Sequence, residues 1–464
     1  MPPDVHTEVF EFLRNFAAKG EIRHGSIYAG SGFGQMSFKY LCKQIGIEAV
    51  HVNALVVEMV KWKQDWIIAH DKPRILCGNG SELQNESIYN IITGEMVELP
   101  QLDVADIGFS CKLFSILNTL FHRGAFDNAI ANARGSSGET ARFMISYIQK
   151  KPPRLVVIEN VPGLAKGYTS EDPVTLKAVV NATSNLFLLI RSLIDAGYVA
   201  TWKIIGPQPL VEASRQRTYM PCVHLPGWQG TSAHNKLCTY AENILDVMRA
   251  NSSVAVTFDD MKWDQEHVDF DFWLRHSLAR CGRAKCNNDK DFKWKRLHAQ
   301  VYREQGFSWP PVLSEELLEC CATMHIVRIQ AEILHVWDAM EPMNTVCYDD
   351  AILELSLSIN RVRPRHGQMQ CLVPNSHAWW RRRKRWLLAP EAMTAQGYGP
   401  TVQAKRFSYR QVMDLMGNAF NSAQLLPAFV VALSMAAKAA TWEANGIAAD
   451  GEPRNGCSSK KPGG

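Results

Sequence analysis

Net charge is almost absent from this chain. Lys+Arg 50 minus Asp+Glu 46 leaves +4 over 464 residues. That excludes a uniformly basic or acidic protein and leaves room for a local basic face. Long apolar runs are missing too: no stretch of about 18 apolar residues stands out, so no membrane span is expected. The opening MPPDVHTEVFEF is acidic and lacks the apolar core of an export signal. The 12 cysteines are scattered, and without an export signal most are expected to be reduced core thiols. No fixed-period repeat and no long low-complexity block occurs. Hydrophobic residues at 46% and charged residues at 21% exclude wholesale disorder and collagen-like structure.

What is present reads first as alternation. A chain this long implies two domains, or one enzyme core with a large insertion. GSIYAG is a strand that runs into a Gly-rich turn, and GQMSFKYLCKQIG is a helix ending at Gly46. AVHVNALVVE, RILCG, VADIGFS and the strongly apolar RLVVIENV follow as strands, with GETARFMISYIQKK as a helix. VTLKAVVNATSNLFLLIRSLIDAG is a long helix before the strands YVATWKII and TYMPCVHL. This order predicts an α/β fold with a mostly parallel sheet over residues 1–226. Residues 227–384 are rich in Trp, His, Cys and mixed charge and show little periodicity, which suits a separate small domain. Helical patterning returns over 385–440, and 441–464, ending SSKKPGG, reads as a solvated tail.

Four features carry chemistry. Tyr28, Ala29, Gly30, Ser31 and Gly32 form a turn between strand and helix, where glycine lets a ligand approach backbone N–H groups. The turn suits a dinucleotide, another nucleoside-based cofactor, or tight packing alone. Glu58 ends the second strand, where a carboxylate suits a ribose diol; a solvated surface Glu is the plain alternative. Cys111 follows the fourth strand, at the edge where open α/β sheets bind ligands, although a single Cys is usually an inert buried thiol. Glu159 ends the fifth strand, so a thiol and a carboxylate can face one substrate.

In this order the motifs resemble those of the DNA (cytosine-5) methyltransferases. YAGSG matches their FAGxGG cofactor motif. DIGFSCKLFS matches the PCQ nucleophile segment, and RGSSGETARFMISYIQKKPPRLVVIENVPGL matches the stretch through ENV, with Gly138 at the expected glycine. EASRQRTYM matches QxRxR, LLAPEAMTAQGYG the LTPxE segment, and LMGNAFNSAQLLPAF the final GNAV motif. The similarity covers about 26–226 and 385–436. It implies a Rossmann-like methyltransferase core with an inserted target-recognition domain. It implies S-adenosylmethionine as cofactor, bound by Tyr28, Ala29, Gly30, Gly32, Glu58, Asn79, Asn418 and Ala419. It further implies Cys111 as covalent nucleophile at C6 of cytosine, Glu159 at N3, and Arg217 at O2 with Arg215 bracing the site. Asn160 fits a backbone-fixing role. The base would be flipped out of its stack.

The sequence departs from the family at several points. Ser110-Cys111-Lys112 replaces PCQ, Ala213 replaces the Gln of QxRxR, Phe33 stands where a second glycine is common, and Asn79 where an acid is frequent. Lys112 suggests activation of the thiol by a neighbouring ammonium. DNA is the expected partner. The same chemistry on transfer RNA, a silent nucleic-acid-binding member motivated by Ser-Cys-Lys, and a small-molecule methyltransferase are alternatives. The last explains the Gly-rich turn but not Cys111, Glu159 and Arg217 together. Arg381, Arg382, Arg383, Lys384 and Arg385 follow two tryptophans and suit phosphate contacts and stacking; KWKR at 293–296 is a weaker version. The basic cluster also resembles a nuclear-targeting signal, so the nucleus is expected for a eukaryotic source and the cytoplasm otherwise. Cys281, Cys286, Cys320 and Cys321 do not match a common zinc spacing, and no metal is expected.

Overall fold

The computed structural model describes residues 3–18, 20–28, 30–47, 50–115, 129–166, 184–206, 213–250, 261–281, 288–340, 351–362, 369–373, 376–399 and 402–445. The chain divides into two compact units. The first is built from Met1–Ile205, Gln216–Asn251 and Gln424–Gly464, the second from Gly206–Arg215 and Ser252–Ala423. These boundaries differ from those read in the sequence, where the core ran to 226 and resumed at 385. Residues 227–251 go with the first unit because the helix Ser232–Ala250 packs there: Cys238 Sγ contacts the Ala200 carbonyl at 3.7 Å, and Lys203 pairs with Asp246. Residues 385–423 go with the second unit because Tyr409 Oη donates to the Leu387 carbonyl at 2.8 Å within it.

The first unit is organised by one sheet. Its strands are β1 (Ile22–Ile27), β2 (His51–Val57), β3 (Ile75–Cys77), β6 (Val104–Ile107), β7 (Leu155–Asn160), β8 (Tyr198–Ala200), β9 (Lys203–Ile205) and β11 (Arg217–His224). The order is β3-β2-β1-β6-β7-β11-β8, with β9 on β11. The first five run parallel and β11 is antiparallel to its neighbours. Chain order reverses at the β1/β6 junction, the topological switch point where Rossmann-like sheets leave a crevice at the carboxyl ends of strands.

The strands are apolar on both faces because both are covered. Alternate residues such as Ile27, Leu55, Ile107 and Ile158 pack with the helices α4 (Gly135–Lys150) and α5 (Asn185–Asp195). The opposite alternation, with His24, Ser26 and Asp106, faces α2 (Phe33–Gln44). There His24 makes edge contacts with Phe38 of α2 and Phe429 of the C-terminal helix Ser422–Ala444. Ser26 Oγ donates to Asp106 at 2.5 Å, and a Cβ on Gly34 would lie 2.1 Å from the Asp106 carboxyl carbon, so glycine there seats the helix on the sheet.

Some expectations are adjusted. YVATWKII is two short strands, and an N-terminal helix α1 (Pro3–Ala17) and a hairpin of β4 (Ser87–Asn90) with β5 (Glu95–Glu98) had no clear signal. The long helix read from 174 onward is described only from Asn185, since 174–183 lie outside the described residues. The stretch Tyr409–Ala444 is long and apolar enough to cross a membrane, contrary to expectation, yet 72% of its apolar window is buried in protein.

The second unit has a five-stranded sheet ordered β10-β13-β12-β14-β15, built from Ala213–Ser214, Met369–Gln370, Ile352–Glu354, Ala378–Trp380 and Arg385–Trp386. Tyr302, Ile333, Leu334, Val362, Trp379 and Trp386 form its own core.

Candidate active site

The first half of the site is the turn after β1. Tyr28, Gly30 and Gly32 all have positive φ, at 59°, 66° and 71°, a conformation that glycine adopts freely and other residues rarely do. Gly32 supplies no side-chain cap to α2, and the Phe33 amide at its first turn donates to Ser31 Oγ at 3.4 Å. Glu58, one residue past β2, is buried. One carboxylate oxygen accepts from the Val60 amide at 2.8 Å. The other lies 4.0 Å from where a Gly30 Cβ would be, with Lys63 Nζ at 3.9 Å from the same point. A carboxylate and an ammonium therefore both face the glycine turn. The Tyr28 ring lies over Gly80, whose Cβ would come 2.0 Å from the phenol oxygen. Burial, with a smaller contribution from Cys77, raises the phenol well above its ordinary pKa. Asn79 is exposed and its side chain caps the next turn, accepting from Ser81 N at 3.0 Å and Ser81 Oγ at 2.9 Å. Ala29 lies outside the described residues.

The second half occupies three neighbouring strand ends. Cys111 is a partly exposed thiol, in no disulfide, on the segment after β6. Its carbonyl accepts from the amides of Phe114 and Ser115, which rolls the segment into a single turn. Asn160, at the end of β7 and 1% exposed, donates to the Phe109 carbonyl at 3.0 Å, tying that segment to the adjacent strand. Glu159 sits beside it. Because β11 is antiparallel, its amino end lies at the carboxyl ends of its neighbours, and Arg217 Nε meets Glu159 Oε1 at 3.0 Å. Thiol, carboxylate and guanidinium thus share one edge of the sheet. Lys112 is exposed. Ser136, Ser137 and Thr140 at the start of α4 also bond the Cys111 segment; the dense short hydroxyls of SSGET are the signal in the sequence for these contacts.

Other expected residues lie in the second unit. Arg215 is buried and donates to the carbonyls of Gly417 at 3.2 Å and Ala419 at 2.6 Å. It fixes the GNA segment at the end of the helix Tyr409–Asn418. Asn418 donates to the Asp414 carbonyl at 2.8 Å, and Ala419 is buried. The basic cluster is the tip of the β14–β15 hairpin, closed by the Lys384 amide bonding the Arg381 carbonyl. Arg382, Arg383 and Lys384 are exposed. Arg381 pairs with Asp338 at 2.9 Å. Arg385 departs from the expected phosphate-binding role: it is 6% exposed, with both terminal nitrogens on Glu391 at 2.6 and 2.9 Å. Such a fork-on-carboxylate pair is a packing element. Cys320 and Cys321 pack against the second core, burial raising Cys321 to about 11. Cys286 and the Cys281 side chain lie outside the described residues. No group of three or more potential metal ligands occurs among the described residues.

No family model matches the chain. A 159-residue stretch, 33% of the chain, is 25% identical to DNA (cytosine-5-)-methyltransferase DMT5 of Cryptococcus neoformans var. grubii, and it spans 6% of that relative's length. Among solved structures, the Schizosaccharomyces pombe Dnmt2 methyltransferase aligns over 89% of this chain and 98% of its own, at 11% identity and TM-score 0.46. The Entamoeba histolytica methyltransferase EhMeth aligns over the same shares at 10% identity and TM-score 0.46. In sequence the chain is similar to the cytosine-5 methyltransferases.

Proposed function

We propose that the protein methylates C5 of cytosine in DNA, with Cys111 as covalent nucleophile. The observation that carries the reading is the shared sheet edge: a partly exposed thiol after β6, and Glu159 paired at 3.0 Å with Arg217 on β7 and β11. Cytosine C5 is a weak nucleophile. A thiolate bonded to C6 makes the ring an enamine, which turns C5 into the reactive carbon. Glu159 holds N3, where charge develops, and Arg217 holds O2. Once C5 carries the methyl group, release of its proton to solvent water, expulsion of the Cys111 thiolate and return of the N3 proton to Glu159 restore the aromatic base. These atoms are hidden in a stacked duplex, so the target nucleotide must leave the stack.

The turn after β1 fits S-adenosylmethionine. Positive-φ glycines leave room for a close approach, Glu58 offers its carboxylate to a ribose diol, and the Tyr28 ring and Gly80 form a wall beside it. When bound, the cofactor supplies an electrophilic methyl group. In the second unit, Arg215 holds the Gly417 and Ala419 carbonyls on either side of Asn418, residues proposed to bind cofactor, and Arg382, Arg383 and Lys384 suit backbone phosphates.

Covalent trapping tests the reading. The full chain is incubated with S-adenosylmethionine and 5-fluorocytosine DNA, and in parallel with 5-fluorocytosine transfer RNA. The expected result is an adduct on DNA that maps to Cys111. An adduct on transfer RNA alone would replace the substrate. Cofactor binding with no adduct on either would replace the enzyme by a silent binding protein.

A further inference from the structure

We propose that Thr140, Ser136 and Ser137 are positioning residues for Cys111, forming a hydroxyl clamp that acts through Ser110 and Leu113. This deepens the methyl-transfer reading and rests on it. The Gly108 amide still bonds the Ile27 carbonyl of β1 at 3.0 Å, and beyond it the Cys111 segment makes no strand pairing among the described residues. It is held instead by three hydroxyls from the beginning of one helix. The Ser110 amide donates to Thr140 Oγ1 at 3.1 Å, Ser110 Oγ lies 3.2 Å from Ser136 Oγ, and the Leu113 amide donates to Ser137 Oγ at 3.1 Å. Residues on both sides of the thiol are therefore tied to α4. With the Asn160 bond to the Phe109 carbonyl, the backbone is pinned at 109, 110 and 113, and the Cys111 side chain keeps its partial exposure.

The polarity of the clamp is set. Thr140 donates its own proton to the Ser136 carbonyl at 2.6 Å, which leaves an oxygen lone pair for the Ser110 amide. Close approach of α4 is set as well: a Cβ on Gly138 would lie 2.1 Å from the Ala129 carbonyl oxygen, a backbone atom with little freedom to move. The Thr140 bond requires an N–H at position 110. A proline there would fix φ near −65° but have no proton to give. A ring at 110 and a hydroxyl at 140 are thus alternative ways of fixing the residue before the thiol, and this distinguishes positioning from mere stability.

The test uses the full chain with Thr140→Val, which removes the hydroxyl at similar shape, Thr140→Ser, which keeps it, and Thr140→Val combined with Ser110→Pro. Three quantities are read: kcat for methyl transfer to cytosine DNA, Kd for S-adenosylmethionine, and the iodoacetamide alkylation rate of Cys111 by peptide mapping. Thr140→Val should lower kcat about tenfold and change the alkylation rate with cofactor Kd unchanged. Thr140→Ser should stay within about twofold of wild type, and Ser110→Pro should recover most of the loss. Wild-type kcat and alkylation in Thr140→Val, or no recovery by serine, overturns the clamp. If Thr140→Val does not fold, Ser136→Ala on the exposed end of the clamp decides the question by its alkylation rate, an unchanged rate overturning the proposal. A wild-type protein that neither methylates nor forms a 5-fluorocytosine adduct would remove the methyl-transfer reading instead, and the alkylation arm would still decide the clamp.

Discussion

At the scale of single residues, chemistry limits which side chains can serve. Glu159→Gln and Arg217→Ala should each lower kcat by about 10²–10⁴-fold while the melting temperature changes little, measured by methyl incorporation and thermal unfolding. Near wild-type rates in both would place the site elsewhere. The placement of Cys111, Glu159 and Arg217 along one edge of the sheet was legible in the sequence because each lies at or just beyond the terminus of an apolar strand. The contacts of Arg215 were not legible: its partners are carbonyls about 200 residues away, and nothing in EASRQR announces them. A buried acid gives a separate prediction. Burial raises Glu354 to about 7 although Ser356 and the His377 amide bond to it. The folded state then holds a proton that the unfolded state has lost, so Glu354 makes stability fall as pH rises from about 4.5 to about 7. Glu354→Gln should improve in melting temperature relative to wild type between pH 5 and 8; a constant difference would mean the group titrates normally.

Elements set where those residues stand. Gly80→Ala must displace the Tyr28 ring, and Gly138→Ala must push against the Ala129 carbonyl. The first should weaken S-adenosylmethionine binding, read by calorimetry. The second should cost stability of about 1–3 kcal/mol, read by denaturant unfolding. The β14–β15 tip separates binding from folding: replacing Arg382, Arg383 and Lys384 together by Gln should weaken nucleic-acid binding and flatten its salt dependence without loss of fold. An unchanged salt slope would remove the tip from the interface. The doubly covered strands were readable as apolar runs. The β4–β5 hairpin was hidden because Tyr89 and Met96 leave apolar side chains exposed, so the polar-apolar alternation that marks a half-buried strand is blurred. Helix α1 was hidden because the acids Glu8 and Glu11 interleave with its buried apolar residues Val9, Phe12, Leu13 and Phe16.

For the whole molecule, the alternation of strands and helices was enough to read the mostly parallel sheet, while the division of the chain was not. Seams depend on which side chains bury each other, and segments 206–215 and 385–423 carry no composition shift that reports it. The Arg385–Glu391 pair bears on the second unit as a body: Arg385→Ala leaves a buried carboxylate without its fork and should cost about 3–5 kcal/mol, measured by thermal and denaturant unfolding. Strand β10 of that unit pairs with β13, yet it comes from the short passage Gly206–Arg215, far upstream of the rest. The consequence concerns exchange between relatives. The second unit transplanted as the single cassette 252–423 leaves behind one edge strand and the guanidinium that closes the helix Tyr409–Asn418. A viable hybrid has to carry both pieces, and the ten-residue passage must be joined between Arg215 and Arg217, which only Gln216 separates.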